Sequence, residues 1–315
     1  MAALVSSCAT SRRNEPPAPR APLAGARCPG LLAARTFGHQ PTWLKGGPRR
    51  FGADSAVCAT YWIAEQQGGF VPQSLEITGE TAYVGGYGPS RLRGLGHCQI
   101  AVVDLGTGRT TAFQDGVVLR GTYPHWVRCD HGGGMGLSKE GLWLTQRHRI
   151  WLLDPARLGT GTNPVLRTWT VPASMRASTL LVHGGRLAIA SFNLNRDGRI
   201  WTFDLQKVLA PGTTRLVRPV SIADAPRRLQ GITAVGSATW FDSSTTRCGA
   251  LRPGTKEAVA FVPGAEDVAV AGQDIWTVSE AGSKRYFVAG HKAVPGLFRL
   301  DRSSVLAGPD AGCGF

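Results

Sequence analysis

Several side chains of this 315-residue chain are of types that could do chemistry together. His131 and Glu266 offer an imidazole and a carboxylate, the pair from which a water-activating base and its orienting group are built. Glu266 and Asp242, joined by Gln73 and Gln230, offer oxygen ligands of the kind that suit a hard divalent cation such as calcium. Ser178, Arg147, His148, Asn193, Lys284 and Arg285 add donors, acceptors and positive charge, equipment for holding a small molecule or a glycan. No two of these residues stand at a diagnostic spacing. Only the fold can gather them.

Two local motifs fail on inspection. His131-Gly132-Gly133-Gly134 has the composition of an oxyanion loop, but such a loop works beside a G-x-S-x-G elbow, which occurs nowhere in the chain. The glycines instead suit a strand that another backbone approaches closely. Asn193 to Gly198 hints at a calcium loop, yet its twelfth position falls on Phe203 or Asp204 with no glutamate, so a turn is expected. No CxxC or Cys/His spacing supports zinc.

A repeat supplies the scaffold. One pattern, a short apolar alternation, a turn and a second strand, recurs from Gln73, Gly133, Ser178, Gln230 and Glu266. Leu75, Met135, Leu180, Ile232 and Val268 share one column, and Ile77, Leu137, Val182, Ala234 and Val270 share the column two positions on. That period of two buries one face of a strand. Gly79, Gly184, Gly236 and Gly272 mark a tight hairpin turn, and Tyr83, Trp143, Ala188, Trp240 and Trp276 follow in the second strand. A third strand ends each time on an aspartate suited to a turn: Asp104, Asp154, Asp204 and Asp301. A fourth reads TTAFQD, VLRTWTV or EAVAFV. Four strands per unit match a β-propeller blade, so the expectation is an all-β propeller of five blades. Six is the alternative, should residues 50–70 and 286–315 together hide a degenerate unit. The last blade lacks a fourth strand, and AVCATYWIAE from Ala56 lacks a blade. Closure by that N-terminal strand would remove both sheet edges.

Composition agrees. The chain has 41 Gly, 20 Pro, 43% hydrophobic and 18% charged residues, which excludes a long disordered protein and a coiled coil and leaves a soluble, turn-rich β protein. No apolar run is long enough for a membrane span. Residues 1–50 hold eight Lys or Arg and one acid, half of the net charge of +14. We therefore expect residues 1–55 to be a disordered or processed basic Ala/Arg/Pro-rich tail and 56–315 a single propeller domain. The +14 charge raises attraction to polyanions, but no Lys/Arg run is interleaved with aromatics, and nucleic acid is not the expected partner. A monomer is expected.

In a propeller the loops after the second and fourth strands share one face. This places Cys98 near Cys129, while Cys58 and Cys313 fall near the opposite face beside the closure, so two disulfides are expected, with Cys248 unpaired. Disulfides imply an oxidising, extracytoplasmic compartment. The same geometry gathers Gln73, Gly133, Ser178, Gln230 and Glu266 at one mouth of the central channel, with His131, Asp267, Arg176 and Arg228 beside them. The loops between second and third strands bring Arg147, His148, Asn193, Asn195, Asp242, Glu280, Lys284 and Arg285 to that face.

The segments VPQSLEITGETAYVGGY, LQGITAVGSATWFDSS and AEDVAVAGQDIWTVSEAGSKRY resemble blade starts of NHL-type, gluconolactonase-like and strictosidine-synthase-like propellers, and of secreted actinobacterial propeller proteins. The resemblance covers residues 56–315 and implies the scaffold and a secreted protein. In gluconolactonase-like enzymes a glutamate at the first blade start helps bind a divalent metal; the corresponding residue here is Gln73. Three functions follow as expectations. The first is an extracytoplasmic propeller binding a small molecule or glycan at the His131–Glu266 mouth. The alternatives are a metal-assisted hydrolase or lactonase at that mouth, with Glu266 and Asp242 as ligands, and a protein-interaction scaffold.

Overall fold

The computed structural model describes residues 28–89, 97–116, 118–119, 127–216, 218–287 and 293–315. Five antiparallel sheets form a ring. Their innermost strands are Val71–Thr78, Gly134–Ser138, Thr179–His183, Leu229–Val235 and Ala265–Ala271, each packed against the inner strands of both neighbours. The protein is a five-bladed β-propeller.

Local chemistry explains the blades. Gly79, Gly184, Gly236 and Gly272 sit at φ between 55° and 61° in the inner hairpins, a left-handed backbone that a side chain would strain. At the end of the third strand Asp104, Asp154, Asp204 and Asp301 each accept a backbone N–H from two or three residues ahead, at 2.7 to 3.2 Å. Each bond turns the chain toward its fourth strand or a short helix. Trp143, Trp240 and Trp276 from the aromatic column are buried between blades, and Trp143 stacks on Trp169 with ring centroids 5.1 Å apart.

Closure follows the expected route. Val57–Tyr61 pairs antiparallel with Leu297–Asp301 and completes the fifth blade. Outside it runs one further strand, Arg35–Phe37, parallel to Val57–Tyr61, with Phe37 stacked on Tyr61 at 4.8 Å. Leu31, Phe37 and Leu44 are buried, so the described part of the stretch assigned to a tail, residues 28–55, is folded onto the ring.

The described residues include three disulfides. Cys98–Cys129 matches the expectation. The expected Cys58–Cys313 bond and the free Cys248 are overturned: the pairs are Cys28–Cys58 and Cys248–Cys313. Two segments cause this. The folded N-terminal stretch brings Cys28 to the closing strand. The C-terminal segment runs back along the fourth blade, where the Ala260 N–H donates to the Pro309 carbonyl at 2.8 Å and the Ala311 N–H to the Ala258 carbonyl at 3.0 Å, which carries Cys313 to Cys248. Among the described residues no helix is long and apolar enough to cross a membrane.

Candidate functional site

Three blades break register where their inner strands begin. Pro72 pairs with Gly86 and Ser74 with Gly85, so Gln73 is an extra, unpaired residue. Leu229 and Gly231 flank Gln230 in the same way, as Ala265 and Asp267 flank Glu266. A β-bulge turns its extra residue out of the regular alternation and re-aims its side chain. In the second and third blades the ladder begins at Gly134 and Thr179, so Gly133 and Ser178 lie just outside it. The three bulged side chains are the amides and the carboxyl expected at the mouth.

They meet around Glu280, which follows the second strand of the last blade. Gln73 Nε2 donates to Glu280 Oε2 at 2.9 Å, and Gln230 Nε2 donates to Glu266 Oε1 at 2.9 Å. Glu266 in turn hydrogen-bonds Glu280. Burial and the neighbouring Glu280 raise the Glu266 carboxyl well above the carboxylate range, so Glu266 keeps its proton and donates it. Glu280 is pushed up to about 7 by burial, and the bonds from Gln73, Glu266 and Tyr286 pull the other way. Tyr286 also lies 3.0 Å, oxygen to oxygen, from Tyr87. The result is one connected relay, Tyr87–Tyr286–Glu280–Glu266, with a glutamine on each carboxyl.

The rim above it is aromatic and cationic. His131 stacks on Tyr87 with ring centroids 4.7 Å apart, and the Arg285 guanidinium lies 5.3 Å from the Tyr87 centroid. Surrounding protein, Arg147 and Arg285 push the His131 imidazole down to about 4. One side of the ring is open to solvent, where water screens the two guanidiniums, so the direction is what matters: His131 is neutral at pH 7.

The expected residues thus divide. Gln73, Gln230 and Glu266 form the floor; His131, Arg147 and Arg285 form the rim. His131 and Glu266 are not a hydrogen-bonded pair; Tyr87, Tyr286 and Glu280 stand between them. Ser178 uses its N–H to reach the Ala190 carbonyl at 2.8 Å, and Asn193 holds its own loop through Ser191 Oγ. His148 and Lys284 are exposed on the same face.

Asp242 lies deeper. It pairs with Gly231, is fully buried, and neither carboxyl oxygen has a hydrogen-bond partner among the described residues. Burial and nearby Asp267 raise it well above the carboxylate range, which makes it a neutral acid. Asp267 accepts from the Leu75 N–H at 3.0 Å and the Val268 N–H at 2.9 Å, satisfying donors on the unpaired inner edge of a blade. Among the described residues no group of three or more His, Cys, Asp or Glu is placed to hold a metal ion. The oxygens of Glu266 and Asp267 are already engaged by amides and backbone. The donor set for calcium is therefore not assembled among the described residues. A cavity of about 160 Å³ lined by Glu76, Met135, Thr233 and Asp267 occupies the lower channel. A larger one of 380 Å³ lies between the third and fourth blades, lined by Asp224, Phe241, Arg252 and Lys256, none of them members of the relay.

Sequence reasoning named Glu280 only as one of several loop residues and passed over Tyr87 and Tyr286. Tyr87 ends a strand at the mouth, and Tyr286 follows Arg285 in the loop; a polar-tipped aromatic at each such position was the available signal.

No family model and no curated protein matches the chain. Among solved structures, BamB from Moraxella catarrhalis is similar at 12% identity and a TM-score of 0.31, covering 73% of this chain and 58% of that one. The Pan2 WD40 domain from Neurospora crassa is similar at 11% and 0.34, covering 67% and 59%. The β-propeller domain of the trilobed protease from Pyrococcus furiosus is similar at 10% and 0.32, covering 74% and 68%. The chain spans less than two thirds of the first two. At these identities the likeness concerns propeller architecture alone. What the fold defines is a five-bladed β-propeller.

Proposed function

We propose that this propeller binds a small molecule or glycan at the channel mouth, outside the cytoplasm. One observation carries the reading: three bulges bring Gln73, Gln230 and Glu266 into one network with Glu280, Gln73 and Glu266 bonding Glu280 and Gln230 bonding Glu266. The inner ladders of the second and third blades carry no such register shift. The floor offers amide and carboxyl groups that match hydroxyls, and the rim offers an aromatic face. Three disulfides support the compartment.

The test is a thermal-shift screen with a panel of oligosaccharides. Ligands that raise Tm should lose at least tenfold in affinity with Gln230→Leu and with Glu280→Gln, and nothing with Thr107→Ala on the opposite face. Ligands indifferent to both floor substitutions would place binding elsewhere.

A second reading, hydrolysis of a lactone or ester, has one observation behind it: Glu266 presents a proton beside Glu280, an acid next to a base. Glu280 would take a proton from an attacking water while Glu266 protonates the departing oxygen. Turnover abolished by Glu266→Gln, with the fold intact, is its requirement.

A further inference from the structure

Ion pairs stand at both ends of the ring, Arg199–Asp224 at 2.6 Å on the mouth side among them, but four arginines of the mouth take no part in them. At the end opposite the mouth, cations meet acids: Arg157 lies 3.0 Å from Asp154 and Arg186 lies 3.4 Å from Asp204. At the mouth, Arg147, Arg176, Arg228 and Arg285 have no carboxylate within ion-pair distance among the described residues, and the acids at the centre of that face, Glu266 and Asp242, are buried with their protons held. The mouth is therefore a cationic rim over a floor carrying little charge.

A second, independent observation concerns two of these arginines. Arg147 at φ 33° and Arg228 at φ 55° are the only non-glycine residues at positive φ among those described. Glycine or asparagine would accept that backbone with little strain. Both positions are locked: the Ala177 N–H donates to the Arg147 carbonyl at 2.8 Å, and the Arg228 N–H donates to the Asn193 carbonyl at 2.8 Å. Neither backbone role uses the side chain. The Arg228 guanidinium lies over the Phe315 ring, 5.5 Å from its centroid, so it is at Arg147 that a guanidinium kept where glycine would be easier points to work for the guanidinium.

Building on the proposed binding at the mouth, we infer that its ligand is acidic: a sugar oligomer bearing carboxylates. Planar guanidinium groups hold carboxylates through paired, charge-assisted hydrogen bonds. Arg285 lies 5.3 Å from the centroid of Tyr87, on which His131 stacks, so a carboxylate can be held at this edge of the rim while the sugar ring lies on the exposed imidazole. Ring hydroxyls then reach toward Gln73, Gln230 and Glu280. A nucleic acid fits less well, because no Lys/Arg run interleaved with aromatics accompanies these arginines.

The experiment is calorimetric titration of the full chain with an oligogalacturonate, with the same oligomer after methyl esterification, and with a single-stranded oligonucleotide. The uronate should bind, weaken at least tenfold on esterification, and weaken further as salt rises. Arg285→Gln and Arg147→Gly should each weaken it at least tenfold, and Arg186→Ala on the opposite face should not. Arg147→Gly should keep or raise Tm, the signature of a strained residue retained for its side chain. Equal binding of the esterified oligomer, still sensitive to Gln230→Leu, would overturn the acidic ligand and leave the mouth as the site. Uronate binding insensitive to Arg147, Arg285 and Gln230 alike would overturn both. Tighter binding of the oligonucleotide through the same arginines, or no binding of the uronate, would overturn the inference.

Discussion

Glu76 shows how a carboxyl reveals its surroundings. It accepts the Ile77 N–H at 3.2 Å and a bond from Leu137, yet burial pushes it up to about 7. Its folded pKa lies above its unfolded one, so the folded chain holds a proton that the unfolded chain releases between about 4.5 and 7. The stability this gives is complete below that window and lost as pH rises through it. Glu76→Gln keeps an acceptor and removes the titration. It should be close to neutral at pH 5 and stabilise by about 2–3 kcal/mol at pH 8, read from urea unfolding at both values. An identical difference at pH 5 and pH 8 would mean that Glu76 titrates normally. His131 has the opposite sign, because its folded pKa is held below its unfolded one. Its neutral ring stabilises the fold least in acid, and the stability it withholds there returns as pH rises through 6.5.

The inner strands set how tightly the elements meet. A Cβ on Gly231 would lie 2.7 Å from Asp267 Cα and from Val268 N, main-chain atoms of the next blade that cannot swing away. Gly133 meets the Ser178 carbonyl of its own neighbour at 2.5 Å. The HGGG run thus serves close backbone approach, as expected of glycines in a crowded inner strand. Gly231→Ala should cost about 2–4 kcal/mol by forcing two blades apart, whereas Gly47→Ala, with nothing within 4 Å, should change little. A Gly231→Ala variant melting with the parent would show that the ring yields more than its packing implies. The bulges sit at this same level, and Gly231 directly follows one of them.

At the scale of the whole molecule, closure is both hydrogen-bonded and covalent. Val57–Tyr61 zips the ring, and Cys248–Cys313 pins the C-terminal segment across 65 residues of chain. Replacing both of those cysteines by Ser should cost about 2–5 kcal/mol. Thiol titration of the denatured, unreduced chain should find one reactive cysteine of seven, since six are bonded. Seven would refute all three bridges.

Periodicity could specify the propeller because each blade repeats a local rule: alternation for the buried face, glycine at the left-handed turn, aspartate at the end of the third strand. The N-terminal closure was legible for the same reason, as a strand without a blade facing a blade without a strand. Cys98–Cys129 followed from counting faces. The other two bridges did not, because Cys28 and Cys313 are carried by segments whose course depends on pairing at the outer edges of blades, where no repeat constrains them. The level of Gln73, Gln230 and Glu266 could be read from the alignment, yet their convergence could not. A bulge leaves sequence spacing unchanged while it turns a side chain around. Glu280, Tyr87 and Tyr286 became a relay only when three blades closed on one point, and that closure is a property of the ring rather than of any single blade.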